Sequence, residues 1–320
     1  MTSFLSNRRN WIGMIALVAI AMGAPSKLLA QKSDTAKPAA SAKQDKKQDK
    51  PNYKDRFIRI RRDADKKPVA METSIVRYFG KNKEGEKIVV DLIGVVHIGE
   101  REYYEQLNDR FDQYDALLYE LVAPEGTRIP KGGGRKGGAN PIAALQKGMQ
   151  ASLGLKFQLD LIDYTKDNFI HADMTPTEFM ESMKNNNESM LKTVFRAMGQ
   201  SMAMQTKNAK KGKNSDAELL MAMFSDDREY KLRQVMAEQM QDIESGMLIF
   251  EGDNGSTIIN HRNRKALTVM EREIKNGKKK IGVFYGAGHL PDMEERLLRD
   301  FGMKRAGAKW LPAWNLQRKK

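Results

Sequence analysis

The stretch Ile88-Val89-Val90-Asp91-Leu92-Ile93-Gly94-Val95-Val96 is almost unbroken hydrocarbon. A strand with one wet face alternates apolar and polar side chains, so a continuous run implies cover on both faces, as at the centre of an α/β sheet. After it, Arg101–Gln113 places Tyr104, Leu107 and Phe111 at helical spacing, and Asp115–Val122 reads as another strand. Strand, helix and strand within so short a span predict a βαβ unit with parallel strands. Upstream, Met71–Gly80 is a second β-rich run, and Lys81-Asn82-Lys83-Glu84-Gly85-Glu86 between the two reads as a hairpin turn. The expected fold is α/β: a central mixed β-sheet with a parallel βαβ core, flanked by helices.

The chain of 320 residues is long enough for one large domain or two small ones. It contains no cysteine, which excludes disulfides, thiolate zinc sites, iron–sulfur clusters and a cysteine nucleophile. Imidazole chemistry is confined to His97, His171, His261 and His289. At the start, Arg8 and Arg9 precede an apolar run from Trp11 to Ala24. That run falls short of the ~20 residues needed to cross a bilayer and reads, over residues 1–30, as a secretory signal peptide. Leu28-Leu29-Ala30 is its expected cleavage site, and an uncleaved anchor is the alternative. The expected protein is exported, periplasmic or extracellular, with no transmembrane helix after cleavage. Residues 31–52 lack any large apolar side chain and read as a disordered linker. The net charge of +14 leaves about +8 on residues 53–320, the expected folded domain. No nucleic-acid-binding motif accompanies that charge, so no nucleic acid partner is expected.

Further along, Lys131–Asn140 is Gly- and Lys-rich without phosphate-loop spacing. Phe157–Tyr164 reads as a further strand. Thr175-Pro176-Thr177-Glu178 announces a helix through a capping box, and Ser215-Asp216-Ala217-Glu218 repeats the signal. Residues from about 174 to 250 form a helical insertion that holds most of the 20 methionines. Methionine there serves either as ordinary helical core or as an adaptable binding surface. Ser256 caps a helix that runs to Asn276 and stops at Gly277. Lys280–Tyr285 is a short strand, Pro291–Asp300 an amphipathic helix ended by Gly302, and Trp310–Trp314 an aromatic edge segment.

Two Gly-x-x-His tetrads, Gly94–His97 and Gly286–His289, each follow an apolar strand and precede a helix. That puts both histidines at the carboxyl edge of the sheet, where open α/β folds build their sites. Glu120 closes the strand of the βαβ unit, and right-handed crossovers bring it to the same edge as His97. If the strand before His289 is also parallel, two imidazoles and a carboxylate converge as a divalent-metal shell with an open position. A structural role for each histidine, and a plain salt bridge for Glu120, are the competing readings. His171 can approach this edge if Phe157–Tyr164 is a neighbouring strand with Asp163 at its end; the competing reading is a turn histidine that holds the loop.

These motifs, together with Tyr119-Glu120 and Arg262-Asn263 on a late helix, resemble the TraB/PrgY/GumN superfamily, which includes the TIKI metalloproteases. The resemblance spans roughly residues 70–300 and is weak in the middle. It implies the erythromycin-esterase/ChaN-like fold group, a central mixed sheet flanked by helices. It implies Mn²⁺- or Co²⁺-dependent proteolysis with His97, Glu120 and His289 as the motif histidines and acid, and Arg262 with Asn263 as the basic pair. The family often has an acid before that pair; His261 stands there, which removes the acid or substitutes an imidazole ligand. Asn263 shares an inward helix face with Leu267, Met270 and Ile274, and Arg262 is expected to aim about a quarter-turn away, at the ~100° step of a helix.

The function expected is metal-assisted hydrolysis, with peptide as substrate and Mn, Co or Zn as the ion. Arg262 would stabilise the developing oxyanion, and Glu120 serves as ligand or as general base. Two alternatives stand beside it: a non-catalytic protein sequestering a peptide or lipid under the Met-rich helices, and a metal-independent esterase-like hydrolase with His97 as base.

Overall fold

The computed structural model describes residues 57–127, 129–132, 148, 151–186, 218, 221–247 and 256–318. The expected signal peptide, the linker, the cap at Ser215–Ala217, most of the Lys131–Asn140 loop and much of the methionine-rich insertion lie outside these residues.

In chain order the elements are β1 (Ile58–Arg62), β2 (Pro68–Lys81), β3 (Lys87–Val95), β4 (Ile98–Gly99), α1 (Arg101–Phe111), β5 (Ala116–Tyr119) and β6 (Lys156–Phe157). There follow α2 (Gln158–Leu161), β7 (Phe169–His171), α3 (Pro176–Asn185) and α4 (Arg228–Met247). A π-turn (Thr257–His261) then opens α5 (Arg262–Lys275), and β8 (Lys280–Gly286), a 3₁₀ turn (Ala287–His289), α6 (Leu290–Arg299) and β9 (Lys304–Asn315) complete the fold.

The main sheet is mixed, in the order β1-β2-β3-β8-β5-β7, with β9 on the other edge of β2. The hairpin β2–β3 is antiparallel with Ile75 opposite Ile93, whereas β3, β8, β5 and β7 run parallel. β8 inserts between the two strands of the βαβ unit, so the edges of β3, β8 and β5 lie side by side. β3 is buried at Ile88 and at six successive positions from Val90 to Val95 on its way to that edge, as its nearly unbroken hydrocarbon requires. Helices cover the sheet: Tyr103, Tyr104, Leu107 and Phe111 of α1 are fully buried, as are Leu290, Met293 and Leu297 of α6.

Hairpin, capping box and C-terminal helices form as the residues dictate. Thr175 accepts from the Glu178 N–H while Glu178 accepts from the Thr175 N–H. The expected strand over Phe157–Tyr164 is absent. Lys156–Phe157 makes only a two-residue pairing with Ile98–Gly99, and the chain then coils into the single turn α2. Gln158 donates its backbone N–H to the His97 carbonyl rather than extending the ladder, and the strand-like residues that follow do not pair. The parallel neighbour of β5 is β7, ending on His171. The tail is a long edge strand whose Trp314 is fully buried and donates from Nε1 to the Ile98 carbonyl (2.7 Å).

Candidate functional site

The sheet order brings the ends of β3, β8 and β5 together, and with them His97, His289 and Glu120. The two tetrad glycines make room for this. A Cβ on Gly94 would lie 3.2 Å from Leu290 Cδ2 and 3.2 Å from the Ser74 carbonyl, so its absence lets the start of α6 close over β3. A Cβ on Gly286 would lie 3.2 Å from Glu120 Oε2, 3.8 Å from His289 Cδ2 and 4.0 Å from His97 Nε2. The space above Gly286 is thus the point on which all three groups converge.

Glu120 is held from two sides. Its Oε2 accepts from the Gly286 N–H (2.7 Å), and its Oε1 accepts from Arg262 Nη2 (2.6 Å) and faces His289 Nε2 at 3.4 Å. Burial alone would raise the Glu120 carboxyl; the Arg262 guanidinium, His289 and His97 together outweigh it, and the group stays well below the ordinary carboxylate range. Arg262 in turn donates from Nε and Nη2 to both oxygens of Asp173 (2.9 and 2.6 Å), whose side chain is completely buried. Burial opposes the charge on Arg262, but Asp173 and then Glu120 overcome it and raise its pKa. Counting these three charges, the cluster is one negative charge in excess.

Each histidine is gripped by a single amide residue. Asn263 donates from Nδ2 to the His289 carbonyl (2.9 Å), and its Oδ1 accepts from His289 Nδ1–H (2.7 Å). Asn263 Nδ2 also donates to Asp292 Oδ2 (2.8 Å). Both partners of Nδ2 are oxygens that only accept, so the amide cannot be reversed, and Nδ1 of His289 carries a proton. On the other strand, Gln158 donates its backbone N–H to the His97 carbonyl (2.9 Å) and turns Oε1 to His97 Nδ1 (3.0 Å). Burial depresses the His97 pKa below its ordinary value; Glu120 and Gln158 act in the opposite direction without reversing it.

Arg262 and Asn263 both reach this site, and the ~100° step between neighbouring helix positions does not carry Arg262 to the surface. The π-turn widens the chain just before α5, and Arg262 (2% exposed) and Asn263 (0%) enter the interior together. Ser256 caps this turn at Ile258 N–H, and Asn260 joins Asn263 and Arg296 on Asp292.

The secondary candidates lie elsewhere. His261 packs against α3, with Nδ1 2.8 Å from Ser182 Oγ and Nε2 3.1 Å from Asn186, so it does not replace an acid beside Glu120. His171 Nε2 lies 2.6 Å from the Leu121 carbonyl and so steadies the chain after β5. Asp163 accepts from Thr165 and pairs with Lys131 at 3.4 Å, away from the strand ends because its segment is not a strand.

Three participants escaped the sequence reading: Gln158, Asp173 and Asp292. Asp173 sits just past a parallel strand, two residues after a histidine that draws attention first. Among the described residues, no three His, Asp or Glu side chains stand close enough to enclose a metal ion as placed. Comparison of the chain with protein-family models, with curated proteins and with solved structures yields no match.

Proposed function

We propose that the chain is an exported hydrolase that uses a divalent cation, with a peptide as its substrate, in line with its resemblance to the TraB/PrgY/GumN superfamily. The observation that carries this reading is the meeting of His97, Glu120 and His289 at the ends of three adjacent parallel strands. The donor set fits a cation of the Mn²⁺, Co²⁺ or Zn²⁺ class: two imidazoles, a carboxylate kept ionised, and one surplus negative charge. The amide partners on both Nδ1 atoms are the support that metal-bound histidines ordinarily have. The fit has a definite cost, because Arg262 already engages Glu120 Oε1 and a cation must compete with it. A divalent ion held here would polarise a carbonyl and make water easier to deprotonate.

The chain's own residues supply the rest. Arg262, anchored by Asp173, offers positive charge where an oxyanion develops. Glu120, kept ionised, accepts a hydrogen bond from water and orients it. Asn263 holds the His289 ring in place.

The same Arg262–Glu120 contact favours a second reading, a metal-independent hydrolase in which the guanidinium does the work of the ion and His97 is the base. The test is thermal shift with Mn²⁺, Co²⁺ and Zn²⁺ alongside cleavage of a peptide library. The proposal expects stabilisation and turnover that both vanish in His97→Ala and His289→Ala. Cation-independent stability with chelator-insensitive hydrolysis selects the second reading, and neither binding nor hydrolysis in the wild type defeats both.

A further inference from the structure

Gln158 is buried against the ordinary preference of its neighbours. It is 5% exposed, the single fully buried residue of α2, while Leu159 and Leu161 beside it are only partly buried against the core. Hydrophobic burial would choose the leucines; something else selects the amide. Its side chain lies between two rings: Oε1 3.0 Å from His97 Nδ1, and Nε2 donating to the Tyr164 hydroxyl (2.8 Å). Tyr164 packs edge-on to Tyr119, the residue before Glu120.

The contact set on His97 repeats that on His289. In both cases one amide residue grips the carbonyl oxygen and Nδ1 of the same histidine, though the segments differ in sequence, secondary structure and position. Stable packing needs no such repetition. For Asn263 the hydrogen-bond partners settle the amide orientation. For Gln158, Tyr164 accepts in the arrangement described, which directs Oε1 at Nδ1.

Resting on the proposed cation site, we propose that Gln158 is a positioning residue: it holds His97 as the Nδ1–H tautomer and so presents the Nε2 lone pair to the space above Gly286, matching what Asn263 does for His289. The pairing of β4 with β6 fixes where Gln158 sits, so the short segment from Lys156 to Tyr164 acts as a brace across one histidine. The reversed amide would give the opposite tautomer, with an N–H in place of the lone pair, and would take His97 out of any ligand set.

The experiment is two-bond ¹H–¹⁵N correlation on full-length, chelator-treated protein labelled at histidine, above the ordinary imidazole pKa of 6.5. With four histidines in the chain, His97→Ala identifies the resonances of His97. Wild type is expected to show a protonated Nδ1 and an unprotonated Nε2. Gln158→Leu should lose that preference, and Gln158→Glu, which keeps an acceptor oxygen, should restore it. Zn²⁺ titrated by calorimetry should bind roughly 10–100-fold more weakly to Gln158→Leu and recover in Gln158→Glu. A wild-type His97 protonated at Nε2 overturns the proposal even if Gln158→Leu does not fold, and so does an unchanged tautomer in a folded Gln158→Leu. If the tautomers behave as stated but wild type takes no Zn²⁺, the cation reading fails and the assignment of Gln158 stands.

Discussion

Asp173→Asn probes the charge arrangement beneath the site. Arg262 makes three charge-assisted bonds to carboxylates, two to Asp173 and one to Glu120. Asparagine keeps one acceptor oxygen and sets an NH₂ group against the guanidinium, leaving Arg262 with Glu120 as its remaining counter-charge. Breaking a fully buried pair costs about 3–5 kcal/mol, and the surviving Glu120 puts this substitution near the low end, about 3 kcal/mol. At roughly 2–4 °C per kcal/mol for a domain of this size, Tm should fall by about 6–12 °C. Glu120→Gln leaves the two-pronged Asp173 contact intact and retains an oxygen for Gly286 or Arg262, so about 1–2 kcal/mol is expected. The assay is urea unfolding of wild type, both single variants and the double variant, with coupling between the sites read from the cycle. Asp173→Asn within about 1 kcal/mol of wild type, or Glu120→Gln the more destabilised of the two, would refute the idea that Asp173 is the principal anchor of Arg262.

Acid should weaken the fold in two stages. His97 and Glu120 both have pKa values depressed by folding, so the unfolded chain binds protons more readily than the native one. Stability is fully present above 6.5, declines first as His97 is passed and again below 4.5 as Glu120 is passed; urea midpoints across pH should show both, with the upper stage absent in His97→Gln. Gly286→Ala should fold, since φ at Gly286 is −49°, yet its methyl enters the space beside Glu120 Oε2. Peptide cleavage should drop at least tenfold with little change in Tm, and full activity would show that the space is not used. Arg262→Gln frees Glu120 Oε1 from its competitor, so Mn²⁺ affinity by calorimetry should rise while turnover falls; weaker Mn²⁺ binding in a folded variant would argue against competition.

The convergence of His97, Glu120 and His289 was legible because it follows from few rules: apolar strands, right-handed crossovers and short connections. The hydrocarbon of Ile88–Val96 requires a central strand, and a central parallel strand fixes which edge His97 occupies. What failed was local. The segment after Lys156 has strand-like residues, but its course is set by hydrogen bonds to His97, a long-range partner that no pattern reveals. Arg262 enters the reading through the family resemblance, but its depth was not legible: helical spacing sets it about 100° from Asn263, and only the buried carboxylates of Asp173 and Glu120 show why it too turns inward. Asp173 is a buried acid whose partner Arg262 lies far along the chain, so its burial becomes intelligible only once the ends of β5, β7 and β8 are side by side; Asp292 pairs locally with Arg296, and its contacts with Asn260 and Asn263 are the long-range ones.

The most direct test of the proposed cation site is the visible spectrum of Co²⁺ titrated into the chelator-treated protein. The account expects one ion per chain, a spectrum that indicates nitrogen and oxygen ligands, and loss of that spectrum in His97→Ala, His289→Ala and Glu120→Ala alike. Unbound Co²⁺ throughout the titration, or a bound spectrum indifferent to all three substitutions, would contradict it.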